Sequence, residues 1–121
     1  PLPLIHSKVT FGYLIENRHG VRFAYLTDTV GLPPKTLAML QQSNPDGLAI
    51  DATDPPSTNA NAVGGNHNDW NQALALIEQI KPARAWLTHL NHRSDTWQIS
   101  NNPVLPEGVQ VACDNAIIEL Q

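Results

Sequence analysis

The spacing of apolar residues along the chain switches between the two-residue period of strands and the longer period of helices. Residues 2–5 (Leu-Pro-Leu-Ile) open in a strand pattern, and 9–16, with Phe11, Tyr13, Leu14 and Ile15, continue it. Asn17-Arg18-His19-Gly20 reads as a turn, because glycine accepts positive φ without a Cβ clash. Residues 21–27 form the next strand, so the two runs predict a β-hairpin. After Gly31-Leu32-Pro33, a helix over 34–43 sets Leu37 and Leu40 on one face, and Pro34 suits its first turn. Leu48-Ala49-Ile50 is short and continuously apolar, as in a strand covered on both faces. Residues 53–65 hold Pro55, Pro56, Gly64 and Gly65 and predict a long irregular loop. Trp70, Ala73, Leu74, Ile77 and Ile80 have helical spacing, with Asn68 or Asp69 as cap and Lys81-Pro82 as stop. Residues 83–88 read as a strand, and an irregular segment is expected from there to Gly108. Residues 109–112 and 116–120 are expected to close the chain as a hairpin across Asp114-Asn115. Alternating strands and helices, without internal repeats, make the fold class α/β.

The residues able to bind metal fall at the ends of these strands. His6 follows 2–5, Asp28 follows 21–27, Asp51 follows 48–50 and His89 follows 83–88. In α/β sheets ligands bind beyond the carboxyl ends of strands, and imidazole and carboxylate are donors for zinc, manganese and iron. Each residue also has an ordinary role open to it. His6 can be a plain strand-end histidine and Asp28 a turn cap. Asp51, the weakest of the four, can bond its own backbone. Their coincidence is what predicts a site. His92, three residues beyond His89, strengthens that position. His67, in Asn66-His67-Asn68-Asp69, lies between a glycine-containing loop and a helix. It could act as a general acid, hold a phosphate, or simply cap the helix. His19 is expected at the surface of its turn, and Cys113 as a small buried residue.

Composition narrows the function classes. With 121 residues the chain is one modest domain or a piece of a larger one. Hydrophobic residues at 41% and charged ones at 15% suit a folded rather than a disordered chain. No apolar run is long enough to span a bilayer and no secretory signal opens the sequence, so a cytoplasmic location is expected. A single cysteine excludes an internal disulfide and a Cys-rich zinc motif. A net charge of −4 with only 7 Lys and Arg argues against a large nucleic-acid footprint. The start at Pro1, already in strand pattern, is expected of a fragment.

The run His6-Ser7-Lys8-Val9-Thr10-Phe11-Gly12-Tyr13-Leu14, followed by Leu26-Thr27-Asp28-Thr29 and Gly31-Leu32-Pro33, resembles the PhnP-like phosphodiesterases of the metallo-β-lactamase superfamily. The likeness continues through Asp51, Asp54-Pro55-Pro56, Asn66-His67, Leu87-Thr88-His89 and the Asp114 turn, across essentially the whole chain. It implies the C-terminal half of an αββα sandwich, with residues 1–121 as the C-terminal part of a single domain. It further implies that His6 binds one of two metal ions, Asp28 bridges both and His89 binds the other. His67 is then the catalytic imidazole, and His92 joins N-terminal cysteines around a structural zinc. The implied cofactors are two manganese or zinc ions, about 3.5–4 Å apart. The implied reaction opens 5-phosphoribosyl 1,2-cyclic phosphate to ribose 1,5-bisphosphate, in phosphonate catabolism.

The chain departs from that pattern in three places. The superfamily's His-x-His-x-Asp-His run does not occur, nor do the cysteines that would complete a zinc site with His92. The N-terminal metal-motif half is therefore expected to be absent and the isolated chain inactive. Half a sandwich should also leave one apolar sheet face uncovered. Asp114-Asn115 stands where Asp-Gly is usual, a tolerable change because Asn also accepts positive φ. Two alternatives stay open: a transfer-RNA 3′-processing nuclease of the same superfamily, and a truncated, non-catalytic binding or scaffold module. The expected partner is a small phosphodiester, without membrane or nucleic acid, and a homodimer is among the assemblies considered for the intact protein.

Overall fold

The computed structural model describes residues 1–57 and 65–120. The expected hairpin is present. Strands β2 (Phe11–Glu16) and β3 (Arg22–Leu26) pair antiparallel, with Tyr13 opposite Tyr25 and Leu14 opposite Ala24. Its turn is held by the Asn17 side chain, which accepts from the amides of His19 (2.8 Å) and Val21 (3.0 Å), while Gly20 takes φ +81°. Strand β1 (Leu2–Pro3) pairs antiparallel with β2 and is shorter than the run 2–5. The amide of Ile5 leaves the ladder and donates instead to Thr29 Oγ1, which bends the chain toward the end of β3.

From β3 onward the sheet is parallel. Helix α1 (Pro34–Ser43) leads to β4 (Gly47–Asp51), α2 (Trp70–Ile80) to β5 (Arg84–Thr88), and α3 (His92–Asn101) to β6 (Val109–Val111). The six strands lie in sequence order. Leu14, Ala24, Leu48, Ala85 and Val109 are in register across neighbouring strands and therefore share one face. On that face Ala24, Leu26, Leu48, Ile50, Leu87 and their neighbours form the core with Leu40 of α1 and Trp70, Ala73, Ile77 and Ile80 of α2.

Helix α2 starts at Asp69 in a reciprocal cap. The Asp69 carboxylate accepts from the Gln72 amide at 2.8 Å, and the Gln72 side chain accepts from the Asp69 amide at 2.9 Å. Asp69→Ala is expected to cost about 1 kcal/mol of stability, read as a lower urea midpoint with an unchanged m-value.

On the opposite face Phe11, Tyr13, Ile15 and Tyr25 are exposed, so the uncovered apolar face anticipated from the sequence is present on β2 and β3. Farther along the sheet Trp86 and Ala49 are buried. The C-terminal segment lies there: Arg84 donates to the Glu119 carbonyl at 3.0 Å, and Leu120 sits against the space a Cβ of Gly47 would need.

Three expectations are corrected. The segment after β5 is helical rather than irregular. Helix α3 carries few apolar residues, with Ile99 exposed, and it depends on the Asn91 cap, which accepts from the Ser94 amide at 2.9 Å. The closing hairpin is not formed either. Strand β6 pairs parallel with β5, and 116–120 is not a strand, although the turn at Asp114-Asn115 remains, with Asn115 at φ +63°. An apolar run cannot reveal which neighbour it pairs with. Finally, Cys113 is exposed. Of the loop expected over 53–65, residues 58–64 lie outside the described residues. No helix among the described residues is long and apolar enough to cross a membrane.

Candidate metal centre

The carboxyl ends of β3, β4 and β5 lie side by side, and the residues just beyond them converge. Asp28 (φ +60°) and His89 (φ +63°) both adopt the left-handed conformation, which is uncommon without glycine and recurs at functional sites. That shared turn brings Asp28 Oδ1 to 3.3 Å from His89 Nε2. Both side chains are partly open to solvent, 44% and 40% exposed.

Asp51, at the end of β4, is fully buried. Its Oδ2 accepts from the Thr29 amide (3.1 Å) and pairs with His67 Nδ1 (2.8 Å). Its Oδ1 accepts from the Thr53 amide (3.1 Å) and the Thr53 hydroxyl (2.6 Å). Four partners on two oxygens use up the hydrogen-bonding capacity of the carboxylate. His67 is also flanked by two imidazoles. Its ring lies 5.1 Å from that of His89, nearly stacked, and 5.1 Å from that of His6, edge on. His6 Nδ1 in turn bonds the Asn66 carbonyl at 2.9 Å. Asn68, buried behind the site, ties the loops together by donating to the Asp51 carbonyl (3.0 Å) and accepting from the Gly31 amide (2.7 Å).

Asp28, Asp51, His67 and His89 offer donor atoms all within 4.8 Å of one another. The donor chemistry fits a divalent ion. Two atoms bound to one tetrahedral ion at ~2.0–2.1 Å lie about 3.3–3.4 Å apart, which matches the separation of Asp28 Oδ1 and His89 Nε2. Asp51 lies close enough to share an ion, but its saturated oxygens make it the carboxylate that orients its neighbours. Asp28 and His89 keep atoms free to ligate, as does His67 through Nε2.

The structure therefore brings Asp28, His67 and His89 into one cluster, with His6 against His67 at its edge. His92 does not join them. It is the exposed first residue of α3 and lines a cavity on the far side of His89, together with Asp95, Cys113 and Asp114. Among the described residues no second group of three ligand types forms around it. His67 does not cap α2, because Asp69 does. Sequence reasoning counted Asp51 only as the weakest of four candidate ligands and missed its orienting role, whose signal lay in Asp51-Ala52-Thr53, an acid and a hydroxyl one residue apart at the end of a fully buried strand. A cavity of about 330 Å³ adjoins the cluster, lined by His67, Asp54, Pro55, Asp69, Gln72 and Arg93 among others. It is large enough for a small organic ligand.

Comparisons with known proteins agree with this geometry. Residues 3–90 match the family model described as a beta-lactamase superfamily domain. A solved structure, described as a new diphosphatase from the PhnP family, aligns at 27% identity with a TM-score of 0.71. The alignment covers 94% of this chain but 39% of that one, so the chain spans well under half of that structure's length. No curated protein matches the chain. With the family model covering most of its length and the strand-end cluster in place, the chain belongs to the beta-lactamase superfamily, as part of the metallo-β-lactamase fold.

Proposed function

We propose that this chain is the C-terminal part of a dinuclear-metal phosphodiesterase acting on a small, cyclic ribose phosphate. The observation that carries the reading is the junction of Asp28 and His89, free to ligate, with an imidazole, His67, held by the buried Asp51. The likeness to a PhnP-family structure supports phosphoester chemistry. Divalent ions, manganese or zinc, would supply Lewis acidity toward phosphoryl oxygens and a more acidic water when bound.

The chain's own residues divide the remaining work. Asp28 and His89 hold the ions, and His6, with Nδ1 engaged by the Asn66 carbonyl, keeps Nε2 for the same purpose. Asp51 fixes His67 with Nδ1 toward the carboxylate, so that the imidazolium form, protonated on both nitrogens, can give its Nε2 proton to the departing alkoxide. His92 remains available for a structural zinc completed from outside this chain.

The test is turnover by the full-length protein, together with its metal content. Opening of 5-phosphoribosyl 1,2-cyclic phosphate, with about two ions per protein, is the expected result. Preference for a precursor transfer RNA would overturn the substrate assignment. The neighbour's description as a diphosphatase favours one further reading, cleavage of a diphosphate ester. Faster turnover of such an ester than of the cyclic phosphate would select it.

A further inference from the structure

Thr53 links the two imidazoles on which the proposed function rests. Its hydroxyl donates to Asp51 Oδ1 at 2.6 Å and lies 2.9 Å from His89 Nδ1. A hydroxyl has one proton to give. Asp51 Oδ1 already accepts from the Thr53 amide, and its partner oxygen is occupied by Thr29 and His67. Turning the Thr53 proton toward His89 would leave two bare acceptors 2.6 Å apart. The hydroxyl therefore accepts from His89, which requires the proton of that ring to sit on Nδ1. The lone pair is then on Nε2, the nitrogen 3.3 Å from Asp28.

From this chain of bonds we infer that Thr53 is a positioning residue. It sets the tautomer and orientation of His89 for metal binding, and ties that ligand through Asp51 to His67. Asp51 thus orients one imidazole directly and the other through Thr53. One buried carboxylate aligns both halves of the site. The inference rests on the reading of His89 as a ligand, but not on any particular substrate. Partners that hold the second nitrogen of a ligating histidine change metal affinity by about 10- to 100-fold.

The experiment compares the full-length protein with Thr53→Ser and Thr53→Val. Serine keeps the hydroxyl, whereas valine keeps the shape and loses it. Zinc affinity is measured by competition with a chromophoric chelator. Long-range ¹H–¹⁵N correlation spectra of the zinc-loaded protein report which nitrogen of His89 carries the proton. Expected are an exchange-protected Nδ1–H in the parent and in Thr53→Ser, with near-parental affinity for both. Thr53→Val should lose the protection and bind zinc about 10- to 100-fold more weakly. An unchanged affinity in Thr53→Val would overturn the inference, as would a loss in Thr53→Ser equal to that in valine. Should the valine variant fail to fold, the parent spectrum still decides, since a proton on Nε2 of His89 excludes the arrangement. All readouts use zinc alone, so they stand even where the phosphodiester assay fails.

Discussion

Replacing His67 with Ala in the full-length protein is expected to lower kcat about 10²- to 10⁴-fold while the metal content stays at the parental level, the range for a lost general acid. The reason is geometric. His67 Nδ1 lies 2.8 Å from a carboxylate that is wholly buried and held by the Thr29 amide and by the amide and hydroxyl of Thr53. That bond leaves one nitrogen for chemistry. The ring borders the cavity where a small phosphodiester would sit, between the imidazoles of His6 and His89. A carboxylate behind an imidazole is, however, also what supports a histidine that binds metal. Measuring metal content beside turnover separates the two roles. Lost turnover with retained metal makes His67 the proton donor, whereas parallel loss of both makes it a ligand. Unchanged turnover would leave the site without a use for His67, and no turnover in parent or variant would favour a non-catalytic module.

The largest effect on stability is expected at Trp70. This residue opens α2 three positions after His67 and is 1% exposed. Its indole N–H donates to the buried Ser94 hydroxyl at 3.2 Å, and its ring meets Trp97 edge on at 5.1 Å. Trp70→Ala removes a large buried side chain, the contact between α2 and α3, and the partner of Ser94 together. The expected loss is about 3–5 kcal/mol, from urea denaturation of the metal-loaded full-length protein. A typical domain holds only about 5–15 kcal/mol in total, so folding at physiological temperature should become marginal. A loss below about 1 kcal/mol, the size typical of an ordinary substitution, would show that the junction relaxes around the cavity.

Helix α2 and the first hairpin were legible because their signals are local. The Trp70-to-Ile80 spacing, the Asp69 cap and Gly20 in its turn each act within a few residues. Placing His6, Asp28, Asp51 and His89 at strand ends needed only the order of apolar runs. Helix α3 was not legible in this way. Its holding contacts are Trp97 on Trp70 and Ser94 on the same indole, which exist only once two helices meet. The closing hairpin failed for a related reason, since the parallel place of Val109–Val111 beside β5 is available only after α3 has crossed the sheet.

The site divides along the same line. Sequence alone determined which donor types the chain owns and that they follow strands, because hydrophobic periodicity marks strand ends directly. Only the tertiary structure decided what each donor does. The parallel register sets Leu26 beside Ile50 and Asp51 beside Thr88, so the chain ends of three strands meet. Asp51 becomes the hub there because Thr29 and His67 reach it from 22 and 16 residues away. Asp28 and His89 face each other because both turn left-handed at the ends of β3 and β5. Those partners are distant in the chain, and no spacing rule relates them. Burial and hydrogen-bond saturation, which separate an orienting carboxylate from a ligand, arise only when the strands are packed.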